Sequence, residues 1–351
     1  MLVVTLAAVL SLAACSDADS ETTANGSPSA GVTSGVDRED DSAQQPPREP
    51  SADAEPECDA PCYGDAESAG TLSEDTVVEV SGMAASVRTP GLYYVVSDEP
   101  GTPEVVAVRE DGTPVARLEL DGMDPENAEA LAVGPCGDDP AVSCLYVGDI
   151  GDHVGRDHVV VYRAPEPDLA DAPDEPDAPD APDAPDARTL DADALEYTYE
   201  DGPTDAEALL VDGDGRPLVV SKASFDRDTG ETGSTRLYRG PADGGEFEAV
   251  AGIELPEPEN GLLAALAGNV VTDASADLAA ARVLLRTYDE VLEYRAPGPG
   301  TDVATFPSWP VRRVPAGNVL QAETVTYAVD DCGYLTTSEL TGVVAVVRCT
   351  G

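Results

Sequence analysis

From Asp75 onward, apolar residues fall in short runs. Some alternate with polar positions, others are apolar throughout, and Gly, Pro and Asp punctuate them. Runs of this kind, rich in Val, Leu and Tyr, read as β-strands. They come in sets of four. An opening strand appears as GMAASV (82–87), EALAVG (129–134), EALLVD (207–212), NVVTD (269–273) and ETVTYA (323–328). A second follows as LYYVVSD (92–98), LYVGD (145–149), PLVVSK (217–222), VLLRTYD (283–289) and YLTTSE (334–339). Helical periodicity is nearly absent.

The third strand has a recurring end. VVVYRAPEP from Val159, TRLYRGPAD from Thr235 and EVLEYRAPG from Glu290 share it, with looser echoes in VVAVRED (105–111) and AVVRCTG (345–351). Arg109, Arg163, Arg239, Arg295 and Arg348 therefore occupy equivalent places, three of them after Tyr162, Tyr238 and Tyr294. Neighbouring residues in a strand face opposite sides. The Tyr is expected to pack between sheets while the Arg reaches a carboxylate or a turn carbonyl; a ring of anion-binding arginines is the functional alternative. Fourth strands read at 114–120, 194–199, 248–255 and 310–314.

The fifth set lacks a fourth strand, and a spare one, TVVEV (76–80), precedes the first set. This is the pattern of an all-β fold, a β-propeller of four-stranded blades. Five blades are expected, closed by pairing strand 76–80 into the last one; a sixth could hide in 240–270. A double-sheet sandwich would also alternate strands, but would not explain the repeated third-strand ending.

Two tracts break the pattern. Residues 15–74 begin with a cysteine and continue mostly as Ser, Thr, Asp, Ala and Pro, too poor in large apolar groups for a core, and read as a disordered tether. Residues 166–190 carry the acidic repeat DAPDEPDAPDAPDAPDAR, read as an extended loop inserted in the domain at 75–351. Acids outnumber bases 69 to 19, a net charge of −50. Outside residues 16–57 and 166–188, 49 acids still face 16 bases. Such a field repels nucleic acid and anionic lipid and attracts cations or basic partners; a surface suited to high salt is the plainer reading. Lys222 is the one lysine.

The chain opens with MLVVTLAAVLSLAAC. Its apolar stretch is too short for a spanning helix and reads as a signal peptide over 1–14. LAAC (12–15) resembles the bacterial lipobox. The resemblance implies cleavage before Cys15, lipidation of its thiol and a place on the outer face of the cell membrane. Six cysteines remain, and an exported chain permits disulfides. They allow fifteen pairings; sequence order suggests Cys58–Cys62, Cys136–Cys144 and Cys332–Cys349.

LYVGDIGDHVGRDHVVVYRAPEP (145–167), with EALAVGP, DAEALLVD, VLLRTY and AETVTYAVDDCGYLTTSE, resembles a group of exported bacterial propellers, often lipoproteins. It is more distantly similar to the esterase-like phytase propellers. The resemblance covers about 75–351 and implies fold and export, but little about activity.

No nucleophile elbow, phosphate-cradling loop or HExxH occurs. His153 and His158 are the only histidines, and nothing places a serine beside them. Acids are the better candidates. Opening strands of a propeller line its axis, and Glu129, Glu207 and Glu323 stand at equivalent places in three of them. Second strands end on Asp98, Asp149, Lys222 and Glu339, and Asp149 and Asp152 flank the DIGD turn. Converging carboxylates need a proton, a cation or a basic side chain. Lys222 is one candidate; calcium held by Glu129, Asp149, Glu207 and Glu323 is another; a structural network is the third. VDGDGRP (211–217) is a fragment of a calcium-loop pattern, most simply a tight turn.

Two functions fit these residues. One is an envelope lipoprotein whose monomeric propeller binds a protein, glycan or small molecule. The other is a secreted hydrolase of esterase or phosphoesterase type, using funnel carboxylates and calcium.

Overall fold

The structure, a computed structural model, describes residues 61–137, 139–171, 186–259, 261–279, 281–317, 321–329 and 332–350. The signal segment, Cys15 and Cys58 lie outside them. Twenty of the described strands form five antiparallel blades of four, and the outer strands Asp193–Tyr199 and Gly245–Ile253 of two neighbouring blades pair in parallel. The five opening strands are Val80–Ala85, Ala130–Cys136, Ala206–Val211, Val271–Asp277 and Ala322–Tyr327. Each touches the next, and the fifth touches the first, so they close a ring around an axis. That cyclic contact defines a β-propeller and excludes the sandwich.

Burial follows from this placement. An opening strand lies between two neighbours, so three of the five are buried at every position. An outer strand is covered on one face only: in Asp193–Tyr199, Leu195, Tyr197 and Tyr199 turn inward while the alternate residues are exposed. The core consists of five apolar layers, one between each pair of adjacent blades. Tyr162, Tyr238 and Tyr294 are buried within three of them, as the Tyr–Arg endings suggest. The arginines turn to acceptors: Arg163 to the Ala242 carbonyl and Asp193, Arg239 to Asp212 and Asp302, Arg295 to Glu293 and Arg348 to Glu110.

The closing strand differs from the expectation. Residues 76–79 are not a strand. The Thr76 and Val77 amides both donate to the Ser73 carbonyl, and Glu79 has a φ of 49°, so this apolar run is a turn that carries the chain to the axis. The last blade is completed instead by Glu67–Thr71, antiparallel to Val343–Val347. Residues 61–74, expected in the tether, thus belong to the sheet and its approach. Gly70 is required there, because a Cβ would lie 1.9 Å from the Asp111 carbonyl oxygen of the first blade. A polar outer strand, exposed at three of its five positions, has the composition of a linker.

The acidic insertion also ends in structure. Asp186–Asp191 pairs in parallel with Pro114–Asp121 and adds a fifth strand to the first blade; residues 172–185 lie outside the described ones. Residues 240–270 hold the outer strand Gly245–Ile253, a loop and the one-turn helix Ala264–Ala267, and no sixth blade among the described residues. Disulfides join Cys136 to Cys144 and Cys332 to Cys349, and Cys62 is disulfide-bonded. No helix among the described residues is long and apolar enough to cross a membrane.

Candidate functional site

Opening strands start with an irregular step. In four blades the pairing with the second strand skips one residue: Ser81, Glu207, Thr272 and Glu323. A bulge re-aims its side chain out of the ladder. Glu129, just before Ala130–Cys136, holds the same place in the second blade, its amide bonded to the Gly148 carbonyl. Ser81, Glu129, Glu207, Thr272 and Glu323 therefore form one set of equivalent positions. Second strands supply another: Asp98, Lys222, Tyr288 and Glu339 follow the residues paired opposite the strand starts, whereas in the second blade the register set by Glu129 puts Asp149 level with Ser97 and Ser221, one residue earlier.

These sets bring together three of the expected glutamates and the lysine. Glu129, Glu207 and Glu323 are buried. Lys222 Nζ is ion-paired with Glu207 Oε1 and lies 5.8 Å from the centre of the Tyr288 ring. Its side chain keeps 21% exposure, against 3% for that of Glu207. Glu129 accepts from Ser81 Oγ at 2.5 Å and from Asn127 Nδ2 at 2.6 Å.

The charges interact strongly. Burial, then repulsion from Glu129, pushes Glu207 up to about 8 against the pull of Lys222. Burial and the charge of Glu207 raise Glu323 well above the ordinary range, and burial raises Glu129 as well. Desolvation works against a charged Lys222, but Glu207, Tyr288 and Glu323 hold its pKa above the ordinary lysine value. Asp98 is pushed up to about 7 by burial and by Glu129, Glu79 and Glu339, and its buried Oδ1 has no hydrogen-bond partner.

The other expected residues are engaged elsewhere. Asp149 is buried and meets Arg156 at both oxygens, 2.8 and 2.9 Å, while accepting from the Asn127 amide at 2.8 Å. Asp152 caps its own loop, accepting from the amides of Val154, Gly155 and Arg156. Asp212 does the same for the turn at 212–216, which is the tight turn its sequence suggests. Asp149 therefore does not join Glu129, Glu207 and Glu323 in a calcium set. Among the described residues, no group of three or more acids, histidines or cysteines has the geometry to hold a metal. His153 and His158 are exposed, and His153 faces Asp205 at 3.7 Å.

Several residues of the site are not evident in the sequence. Ser81 and Tyr288 are small or aromatic where three blades carry Glu or a charged group, and position in the repeat is the signal that finds them. Asp273, one residue beyond the bulge at Thr272, is fully buried. Its carboxylate accepts from the amides of Ala274 (2.7 Å) and Val325 (2.8 Å), and from that of Met83. One side chain thus ties three of the five opening strands together below the acidic set.

No protein-family model matches the chain, and no curated protein matches it in sequence. Among solved structures it is similar to Raptor of Chaetomium thermophilum, at 12% identity over 79% of this chain, with a TM-score of 0.34. The match spans 20% of the Raptor chain. It is similar to the WD40 repeats of RRP9 at 8% identity, over 84% of this chain and 100% of that one, with a TM-score of 0.39. Hydrazine synthase of Kuenenia stuttgartiensis matches at 12% identity over 77% and 72% of the two chains, with a TM-score of 0.38. These likenesses carry no activity to this chain; the propeller is defined by its own strand order.

Proposed function

We propose that the chain is a cell-envelope lipoprotein, held at the outer face of the membrane through Cys15, whose propeller is a binding module for an amine-bearing ligand. The observation that carries the reading is the shortage of cations on the axis, which holds its buried carboxyl groups toward their protonated forms. Three buried glutamates face one lysine, and Asp98 keeps a buried acceptor oxygen without a partner. A primary ammonium satisfies such a site, because it brings three donors and a positive charge. A phosphoester brings further negative charge to the same carboxyl groups and no cation to offset it. Lys222 occupies the place of a built-in cation, so a ligand ammonium competes with it or sits beside it.

Calorimetric titration with 1,5-diaminopentane at low salt tests this reading. Saturable binding of one equivalent, weakened at least tenfold by Glu323→Gln, is expected. Weak, non-saturable uptake that the variant leaves unchanged would contradict it.

The hydrolase reading keeps one observation in its favour. Ser81 Oγ, Glu129 and Asn127 form a continuous hydrogen-bonded line at the axis, the arrangement of a hydroxyl beside an oriented base. Ester turnover abolished by Ser81→Ala, in a protein with an unchanged melting midpoint, would favour it over binding alone.

A further inference from the structure

Beyond Asp273 the opening strands run on into a different environment. Residues 83–85, 131–135, 209–211, 274–279 and 326–329, from all five blades, surround a cavity of about 950 Å³. This size is typical of small-molecule sites. Met83, Leu131 and Leu209 form part of its wall, and Val87, Val142 and Leu278 at its margin are 52%, 39% and 40% exposed.

The polar side chains of this wall are already engaged. Ser275 Oγ accepts from the Tyr327 amide at 3.1 Å, and Thr326 Oγ1 from the Ala85 amide at 3.0 Å. Ser143 Oγ donates to Glu166 at 2.5 Å. Asp277 and Arg282, the charged pair of the lining, neutralise one another at 2.6 Å, and Arg282 also lies over the Tyr327 ring, 4.7 Å from its centre. The one side-chain atom of this wall without a hydrogen-bond partner, Arg282 Nε, is itself buried, so a polar or charged ligand entering here would lose its hydration without gaining an accessible side-chain partner. A hydrocarbon body loses only water contact, and its burial is favourable.

We propose that this end of the axis is a second binding site, distinct from the acidic one, for an uncharged aliphatic ligand of acyl-chain type. Its walls run three to six residues along each strand, roughly 10–20 Å at 3.3 Å per residue, a depth suited to an alkyl chain inserted along the axis. A free fatty carboxylate is disfavoured, since Arg282 is committed to Asp277. The ligand is therefore a neutral alcohol, ester or lipid tail.

The test uses the full chain and the neutral dye prodan, with 1-decanol as competitor. The expected result is a saturable, blue-shifted emission that 1-decanol displaces and decanoate at neutral pH displaces at least tenfold less well. Ala276→Trp, at a half-buried position of the wall, should weaken dye binding at least tenfold. Leu278→Asp at the exposed margin gives the same reading if the tryptophan variant fails to fold. Glu323→Gln should leave dye binding unchanged, which separates this site from the acidic one. Absence of saturable emission would overturn the proposal. So would undiminished binding in variants that melt like the parent.

Discussion

Glu207 and Lys222 meet because a bulge turns one toward the axis and the end of the neighbouring strand delivers the other. The glutamates are legible in the sequence, since Glu129, Glu207 and Glu323 each precede an apolar run at the same place in three repeats. The fate of Asp149 is not legible. With Glu129 at the bulge position, Asp149 is level with Ser221 rather than Lys222, and Arg156, on the following loop, captures both of its oxygens. Which acids stay on the axis thus depends on tertiary partners that no spacing announces. A pH prediction belongs to this scale. Glu207 is raised from the ordinary 4.5 to about 8 and Asp98 from 3.8 to about 7. Folding therefore favours their protonated forms. Their contribution is full below the unfolded values and is lost as pH rises toward about 8. The melting midpoint should fall between pH 5 and 8.5, and Glu207→Gln should flatten that fall; an unchanged slope in the variant would place the proton elsewhere.

Among the elements, strand existence and order are readable almost throughout, because opening strands carry unbroken apolar runs and third strands share an ending. The seam is the exception. TVVEV has the composition of a strand, but its first four residues are not one and only Val80 enters the opening strand, and ESAGT has the composition of a tether but is the closing strand. Alternation is a signal of one-sided burial, and a polar strand on the outer rim need not show it. The approach to that strand is clamped as well. Tyr63 donates to the fully buried Glu293 at 2.6 Å, and Arg295 and Arg312 both reach the Pro61 carbonyl. Glu293, held below the ordinary glutamate value despite burial by Tyr63, Arg295 and Arg312, anchors this contact. A chain starting at Leu72 should therefore melt well below one starting at Glu57, by about 10 °C or more, and should self-associate through the uncovered edge of Val343–Val347. Scanning calorimetry and sedimentation of the two chains check this; equal midpoints would mean that the outer strand contributes little.

At the scale of the molecule, the axis has two unlike ends. An acidic, lysine-bearing set lies where the opening strands begin, and a cavity walled mainly by apolar side chains lies where they finish. Asp273 sits at the level between them. The alternation of polar and apolar residues shows neither end, since both arise from how five strands converge. The net charge of −50 is evident from composition, but composition cannot say that the buried acids gather around a single cation. The proposed anchor gives this molecule its setting. Cys15→Ser should move the protein from the membrane fraction to the soluble fraction after export, as immunoblotting of fractionated cells would show; retention in the membrane would reject the lipid anchor.

Because Lys222 is the only lysine, ¹⁵N-lysine labelling places one Nζ signal at the centre of the site. Its titration, with and without 1,5-diaminopentane, tests the central claim most directly. The cation-poor axis predicts a pKa above the ordinary lysine value and a saturable shift of the signal as the diamine binds. A signal that titrates at or below the ordinary value and ignores the diamine would contradict both the built-in counter-ion and the binding site around it.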